Sequence, residues 1–251
     1  MSVLILALAA GAVVGLALGA LGGGGSVLAI PALIYLLGLS PAAATTASLF
    51  IVTATSATAL YAHARAGHVR WRAGAAFAAA GVVPAAAAGL AATRLPQAVL
   101  TAAFAAIAAL AAVRMLRPGP ERARGEARGE VRPLRAGGAG AGLGAVTGLL
   151  GVGGGFLAVP ALVTVLAFEM QAAVGTSLLV ITVNSLTSLV TRSGGAAGMD
   201  WAVTAPFTGA AILGAWDGKR LAERVSGGGL QRLFAWVLLA VAAFMLVDAV
   251  T

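Results

Sequence analysis

Apolar residues in this chain run in blocks and do not alternate with polar ones. Ten blocks are visible, at 2–21, 27–39, 41–62, 73–92 and 96–116, then at 136–150, 156–168, 170–191, 202–216 and 229–249. Polar residues collect in the gaps. A segment that is apolar on every face belongs in a large core or in lipid, and a spanning helix needs roughly 20 such residues. Most blocks meet that length. Blocks 27–39 and 156–168 have 13 residues each, about 20 Å of helix, against a hydrocarbon core of roughly 30 Å. They either cross with help or dip in as re-entrant hairpins with the block before them. The stretch 117–135, rich in Arg, Glu, Gly and Pro, is the long hydrophilic interruption and reads as a solvated linker. The expected organisation is a membrane repeat at 1–116, the linker at 117–135 and a second membrane repeat at 136–251.

Composition agrees. The 251 residues are 60% hydrophobic and 10% charged, where a soluble domain has about 25% charged. Mean hydropathy is +0.99. A soluble globular protein is excluded. Met1-Ser2 carries no basic residue ahead of the first block, so 2–21 reads as a retained membrane segment and not as a secretory signal. The formal charge of +8 comes from short basic loops between apolar blocks. That is the pattern of cytoplasmic loops, without the basic face and stacking groups of a nucleic-acid binder.

The two sets of blocks are repeats. A shift of 129 pairs Gly22 with Gly151 and Pro31 with Pro160, and 17 of 39 positions are identical between 22–60 and 151–189. After one inserted residue, Trp71 pairs with Trp201 and Phe104 with Phe234. Five segments is an odd number, so the second half is expected upside down relative to the first. Loop charges test this. With the linker in the cytoplasm and every segment crossing, 14 of the basic residues lie inside and only Arg94 and Arg192 outside. Parallel halves would leave 5 outside and 11 inside. The fold class expected is therefore an all-α integral membrane protein of two inverted repeats, with both termini outside.

Within the repeats, Gly22-Gly23-Gly24-Gly25-Ser26 and Gly151-Val152-Gly153-Gly154-Gly155 interrupt apolar sequence at matching places. Unpaired backbone groups in a bilayer cost several kcal/mol each, so such breaks are expected to line a cavity. A helix beginning near Ser26 or Gly155 would present free N–H groups and a positive dipole end, which bind anions without Arg or Lys. Paired breaks at the interface of inverted repeats are where secondary transporters hold substrate. The plainer reading is helix packing by small residues.

Hydroxyls crowd the third segments. Ser48 and Thr53 match Ser177 and Thr182, and Asn184 lies close by, all candidates to line the same site. Ser and Thr also bond their own helix carbonyls, which is the simpler role for any one of them. His63 and Arg192 are equivalent ends of the third segments; either could gate or attract an anion, although an interfacial position is the simpler expectation. Trp71 and Trp201 read as interfacial anchors, and His68 has no assigned role. Two histidines, no cysteine and no HExxH leave metal and acid/base chemistry without ligands. No metal or cofactor is expected. The partners expected are a small anion and the lipid bilayer, with room for a homodimer. A channel or cation carrier, using unwound carbonyls, and a non-transporting membrane subunit stay open as alternatives.

The paired motifs Gly19-Ala-Leu-Gly-Gly-Gly-Gly-Ser-Val-Leu-Ala-Ile-Pro31 and Gly148-Leu-Leu-Gly-Val-Gly-Gly-Gly-Phe-Leu-Ala-Val-Pro160 resemble the sulfite exporter TauE/SafE family, as do the runs 43–49 and 173–178. The resemblance covers nearly the whole chain apart from the linker. It implies a permease of the bacterial inner membrane moving sulfite, a sulfonate or another small organic anion. The first motif departs at Gly23, where the second has Val152, and at Ser26, where the second has Gly155.

Overall fold

The structure is a computed structural model and describes residues 2–92, 97–116, 133–150, 155–191 and 200–250. Among these residues there are ten α-helices and no strands. They are α1 Ser2–Leu21, α2 Gly24–Pro31, α3 Pro41–Arg65, α4 Trp71–Ala92, α5 Gln97–Leu116, α6 Pro133–Leu150, α7 Gly155–Thr164, α8 Met170–Thr191, α9 Trp201–Arg224 and α10 Gly227–Val250. Most of the linker, 117–132, lies outside the described residues.

Local sequence explains several boundaries. Ser40 caps α3 by accepting from the Ala43 amide, with Pro41 in the first turn. Asp200 caps α9 at Ala202 N, 3.0 Å away. Pro31 has no N–H to continue an α-helical ladder, and α2 runs on as a π-helical turn over Ala32–Leu36. That turn closes at Gly38, with φ +68. The equivalent residue in the second half, at the shift of 129, is Ala167, and it adopts φ +53. The bond Leu39 N to Leu33 O, 3.1 Å, recurs as Phe168 N to Leu162 O, 3.0 Å. The backbone turn is the same although its residues differ.

The short second segments are shorter than their apolar blocks, α7 ending at Thr164, whereas α9 extends well past Trp216 to Arg224. Val3–Leu21, Ala43–Arg65, Met170–Leu189 and Gly227–Phe244 are each long and apolar enough to cross a membrane. Ile5, Val13, Val83, Leu213 and Trp236 face outward. Large apolar side chains on the outer surface of a packed bundle are what a hydrocarbon solvent allows.

Helices from the two halves interlock. α1 packs along α9, α4 along α6, α5 along α10, and α3 against α8. In the first seam, a Cβ on Gly11, Gly15 or Gly19 would strike the carbonyl oxygen of Phe207, Ala211 or Ala215. The order is the same on both helices, so they run parallel. Shifting the first two contacts by 129 on α1 and by 130 on α9 gives Gly140 against Phe77 and Gly144 against Gly81. Those are the contacts that join α6 and α4. Phe77 and Phe207 are fully buried counterparts. α3 and α8 run in opposite directions: Thr182 meets Ser56, while Gly175, nearer the start of α8, lies under His68 just beyond the end of α3. Gln231, at the start of α10, donates to the Met115 carbonyl near the end of α5 at 2.6 Å, so this pair is antiparallel too.

Candidate substrate site at the glycine break

The first break is narrower than the glycine run. α2 starts at Gly24, not near Ser26, so Gly24, Gly25 and Ser26 form its first turn and only Gly22 and Gly23 lie outside helix. The turn is made at Gly22, whose φ of +69 a residue with a Cβ rarely adopts. Its N–H still bonds Leu18 O at 2.8 Å. Gly23 supplies no side-chain cap. The opening N–H groups of α2 precede any intrahelical acceptor, and the residue at the N-cap has no side chain to offer them.

Gly22 is pressed against the second half of the protein. A Cβ there would lie 2.5 Å from Ser177 Oγ on α8, 3.2 Å from Val159 on α7 and 3.3 Å from Val174 O. The two short helices α2 and α7 also pack on each other. The fold thus brings together Gly22 and Ser177, residues from separate repeats. Gly155 is the first residue of α7. Gly151, Gly153 and Gly154 lie outside the described residues, as does Arg192.

The hydroxyl protons of the third segments face their own helices. Ser48 donates to Thr45 O and Ser177 to Val174 O, each at 2.8 Å. Thr53 donates to Leu49 O at 2.6 Å and Thr182 to Leu178 O at 2.7 Å. Thr182 Oγ1 also lies 2.9 Å from Ser56 Oγ, tying α8 to α3. The one Thr182 proton serves Leu178 O or Ser56 Oγ, and Ser56 in turn donates to Thr53 O at 3.3 Å. Ser48 and Ser177 are buried, and Asn184 is half-buried on α8.

His63, near the end of α3, is 2% exposed, and its Nε2 donates to the Gly19 carbonyl at 3.1 Å, three residues before the break. Hydropathy places the segment end but not the neighbour that covers it, here the last turn of α1. Trp71 and Trp201 do lie at the helix starts and are half exposed. His68, which had no assigned role, sends its N–H to His63 O at 3.1 Å and holds its ring 6.0 Å from that of His63. The seam glycines Gly11, Gly15, Gly19, Gly140 and Gly144 were also missed. Their spacing of four was the available signal.

Among the described residues no group of three His, Cys, Asp or Glu side chains can hold a metal ion. What the site offers is backbone donors, hydroxyl oxygens and an apolar wall, enclosed by interlocked helices that carry an apolar outer face. That is the architecture of a polytopic membrane transport protein. The chain belongs to the sulfite exporter TauE/SafE family, whose model matches residues 7–245. A protein of Xylella fastidiosa strain 9a5c described as "Probable membrane transporter protein" is 33% identical over 248 residues, covering 97% of this chain and 95% of the relative. Its counterpart in strain Temecula1 is 32% identical over the same length. No solved structure matches the chain.

Proposed function

We propose that the protein is a secondary transporter that carries a small anion across the bacterial inner membrane by alternating access. The anion class is sulfite, a sulfonate or a related organic anion. The observation that carries this reading is the seating of Gly22, at the break of one half, against Val159 and Ser177 of the other. It makes the opening amides of α2 part of an interface between the halves, where a relative movement would change their access.

The inverted arrangement of the halves is part of the same proposal. The parallel seams exchange under the shifts of 129 and 130, and α3 crosses α8 in the opposite direction. A repeat related by an axis in the membrane plane accounts for both, whereas an axis along the membrane normal would leave α3 and α8 parallel. The substrate then sits between Gly22–Ser26 and Gly151–Gly155, with amides as donors. The loop charges favour a cytoplasmic linker and outer termini.

The test is flux in liposomes with sulfite, alkyl sulfonates and chloride. Gly24→Leu and Gly154→Leu should each abolish transport while the protein elutes as a folded species. Normal transport by both variants would place the site elsewhere. One observation favours a cation-coordinating reading: the hydroxyls point their protons at helix carbonyls and leave oxygen lone pairs for a cation such as Na⁺. Flux that follows Na⁺ and is indifferent to the anion would select it.

A further inference from the structure

His63 has a fixed tautomer and an orphaned nitrogen. The Gly19 carbonyl can only accept, so the Nε2 facing it at 3.1 Å carries the hydrogen. Nδ1 is then the lone pair. It is buried and has no hydrogen-bond partner among the described residues, and Nδ1 of the neighbouring His68 is in the same condition. A buried lone pair without a donor is costly. A merely structural histidine would be expected to pair both nitrogens.

The surroundings answer a charge on one side only. Gly19 belongs to the last turn of α1, where carbonyls lack intrahelical partners and the helix dipole is negative. Neither α1 nor α8 carries a titratable side chain. The loop after α3 contributes His68, and α9 contributes Lys219 and Glu223, which act on His63 electrostatically. These two are bonded to each other at 2.6 Å. The last turn of α3 adds Arg65, which is exposed and stacks over Tyr61.

We propose that His63 is a proton-binding site that couples protons to the movement of α3 against the end of α1 and its seam with α9, which rests on the transport reading above. A proton from water adds to the Nδ1 lone pair when the ring is open to solvent and returns to water before the ring is covered again. In the conformation described, that proton would create a buried charge facing no acceptor at Nδ1. The conformation therefore holds the neutral imidazole. An arrangement in which α3 parts from the end of α1 admits water to the ring and takes up the proton. A ligand shifts an equilibrium by its differential affinity for the two states, so acid populates the open arrangement.

The chain has no cysteine and only two histidines, so two clean reports are available. Ser177→Cys, nearly isosteric and buried against Gly22, is alkylated in proteoliposomes between pH 8 and pH 5.5. Each rate is divided by the rate for denatured protein at the same pH, which removes the ionisation of the thiol. Protection should fall several-fold on acidification, and the fall should vanish with His63→Gln but survive His68→Gln. In parallel, ¹⁵N NMR of ring-labelled protein, assigned through His68→Gln, should show His63 as the Nε2–H tautomer at neutral pH. It should gain its second proton over the same pH range in which protection falls. This report needs no variant at His63, so misfolding of His63→Gln does not remove the test. Protection that is independent of pH, a pH profile unchanged by His63→Gln, or a His63 that stays neutral throughout would each overturn the proposal. Sulfite exchange at equal pH on both sides is measured separately: its absence with the proton signature intact counts against sulfite transport and not against the proton site.

Discussion

The α1/α9 seam and the α3/α8 crossing both join the two halves, and they do so in opposite ways. Along the seam, parallel helices approach until backbone meets backbone, and the obstacle to any added side chain is a carbonyl oxygen. At the crossing, antiparallel helices meet through hydroxyls, and the atom nearest Gly22 is the Oγ of a serine. An obstacle of backbone cannot be trimmed or rotated, whereas a side chain can. The seam therefore behaves as one rigid unit made from both repeats, and relative movement is expected at the crossing. Glycine has a different task in each place: in the seam it permits close approach, and at position 22 it permits a left-handed turn.

The largest effect should come from filling the seam. Gly15→Leu and its counterpart Gly144→Leu drive side chains into the backbone of Ala211 and of Gly81. Each should destabilise by about 3 kcal/mol or more, read as loss of monodisperse protein on size-exclusion chromatography. If either variant is as stable as wild type, the seams are not rigid.

At the crossing, Gly22→Ala should cost about 1–2 kcal/mol for the positive φ alone, measured as a thermal shift in detergent. The added clash with Ser177 Oγ is removable. Ser177→Ala should recover part of the loss in the double variant, while no side-chain trimming should rescue Gly15→Leu.

A smaller effect is expected from the hydroxyl pair. A double-mutant cycle of Ser56→Ala and Thr182→Val should give a coupling of about 0.5–1.5 kcal/mol. Zero coupling would mean that the pair does not tie α3 to α8.

The smallest effect should lie at the polar end of α9, outside both regions. Lys219 and Glu223 form an i,i+4 pair with Glu223 largely exposed, and Glu223→Gln should cost under about 0.5 kcal/mol. The hydrogen bond from Lys219 holds the Glu223 carboxyl below its ordinary value of 4.5. Because the folded-state value is the lower one, the stabilisation is present above that pH and fades as pH falls through the folded value. The difference between wild type and Glu223→Gln should close in acid and in high salt.

Much of this was legible in the chain because bilayers and repeats impose strict rules. Helix positions followed from block length, since within one continuous apolar segment only a helix pairs the whole backbone in hydrocarbon. The duplication was visible because Gly22, Pro31, Ser48 and Thr53 return at a constant shift. The glycine break was found for the same reason, although its extent was not: hydropathy cannot tell a glycine in a first helical turn, such as Gly24, from one in a turn, such as Gly22. The hydroxyls stood out by their recurrence, and Ser48 and Ser177 are buried, but which way Ser177 and Thr182 point their protons depends on carbonyls that the same helix supplies.

By itself the sequence determined that this is an all-helical membrane protein whose two sets of apolar blocks repeat, with glycine runs at matching places, because period, block length and repeat are properties of one dimension. Only the tertiary structure decided the partners. It set Gly11, Gly15 and Gly19 on the backbone of α9, folded Gly22 onto Ser177, and buried His63 under the last turn of α1. Those pairings join residues of similar hydropathy far apart in the chain. Which apolar surface meets which is settled by shape at van der Waals distance, and hydropathy carries no record of shape.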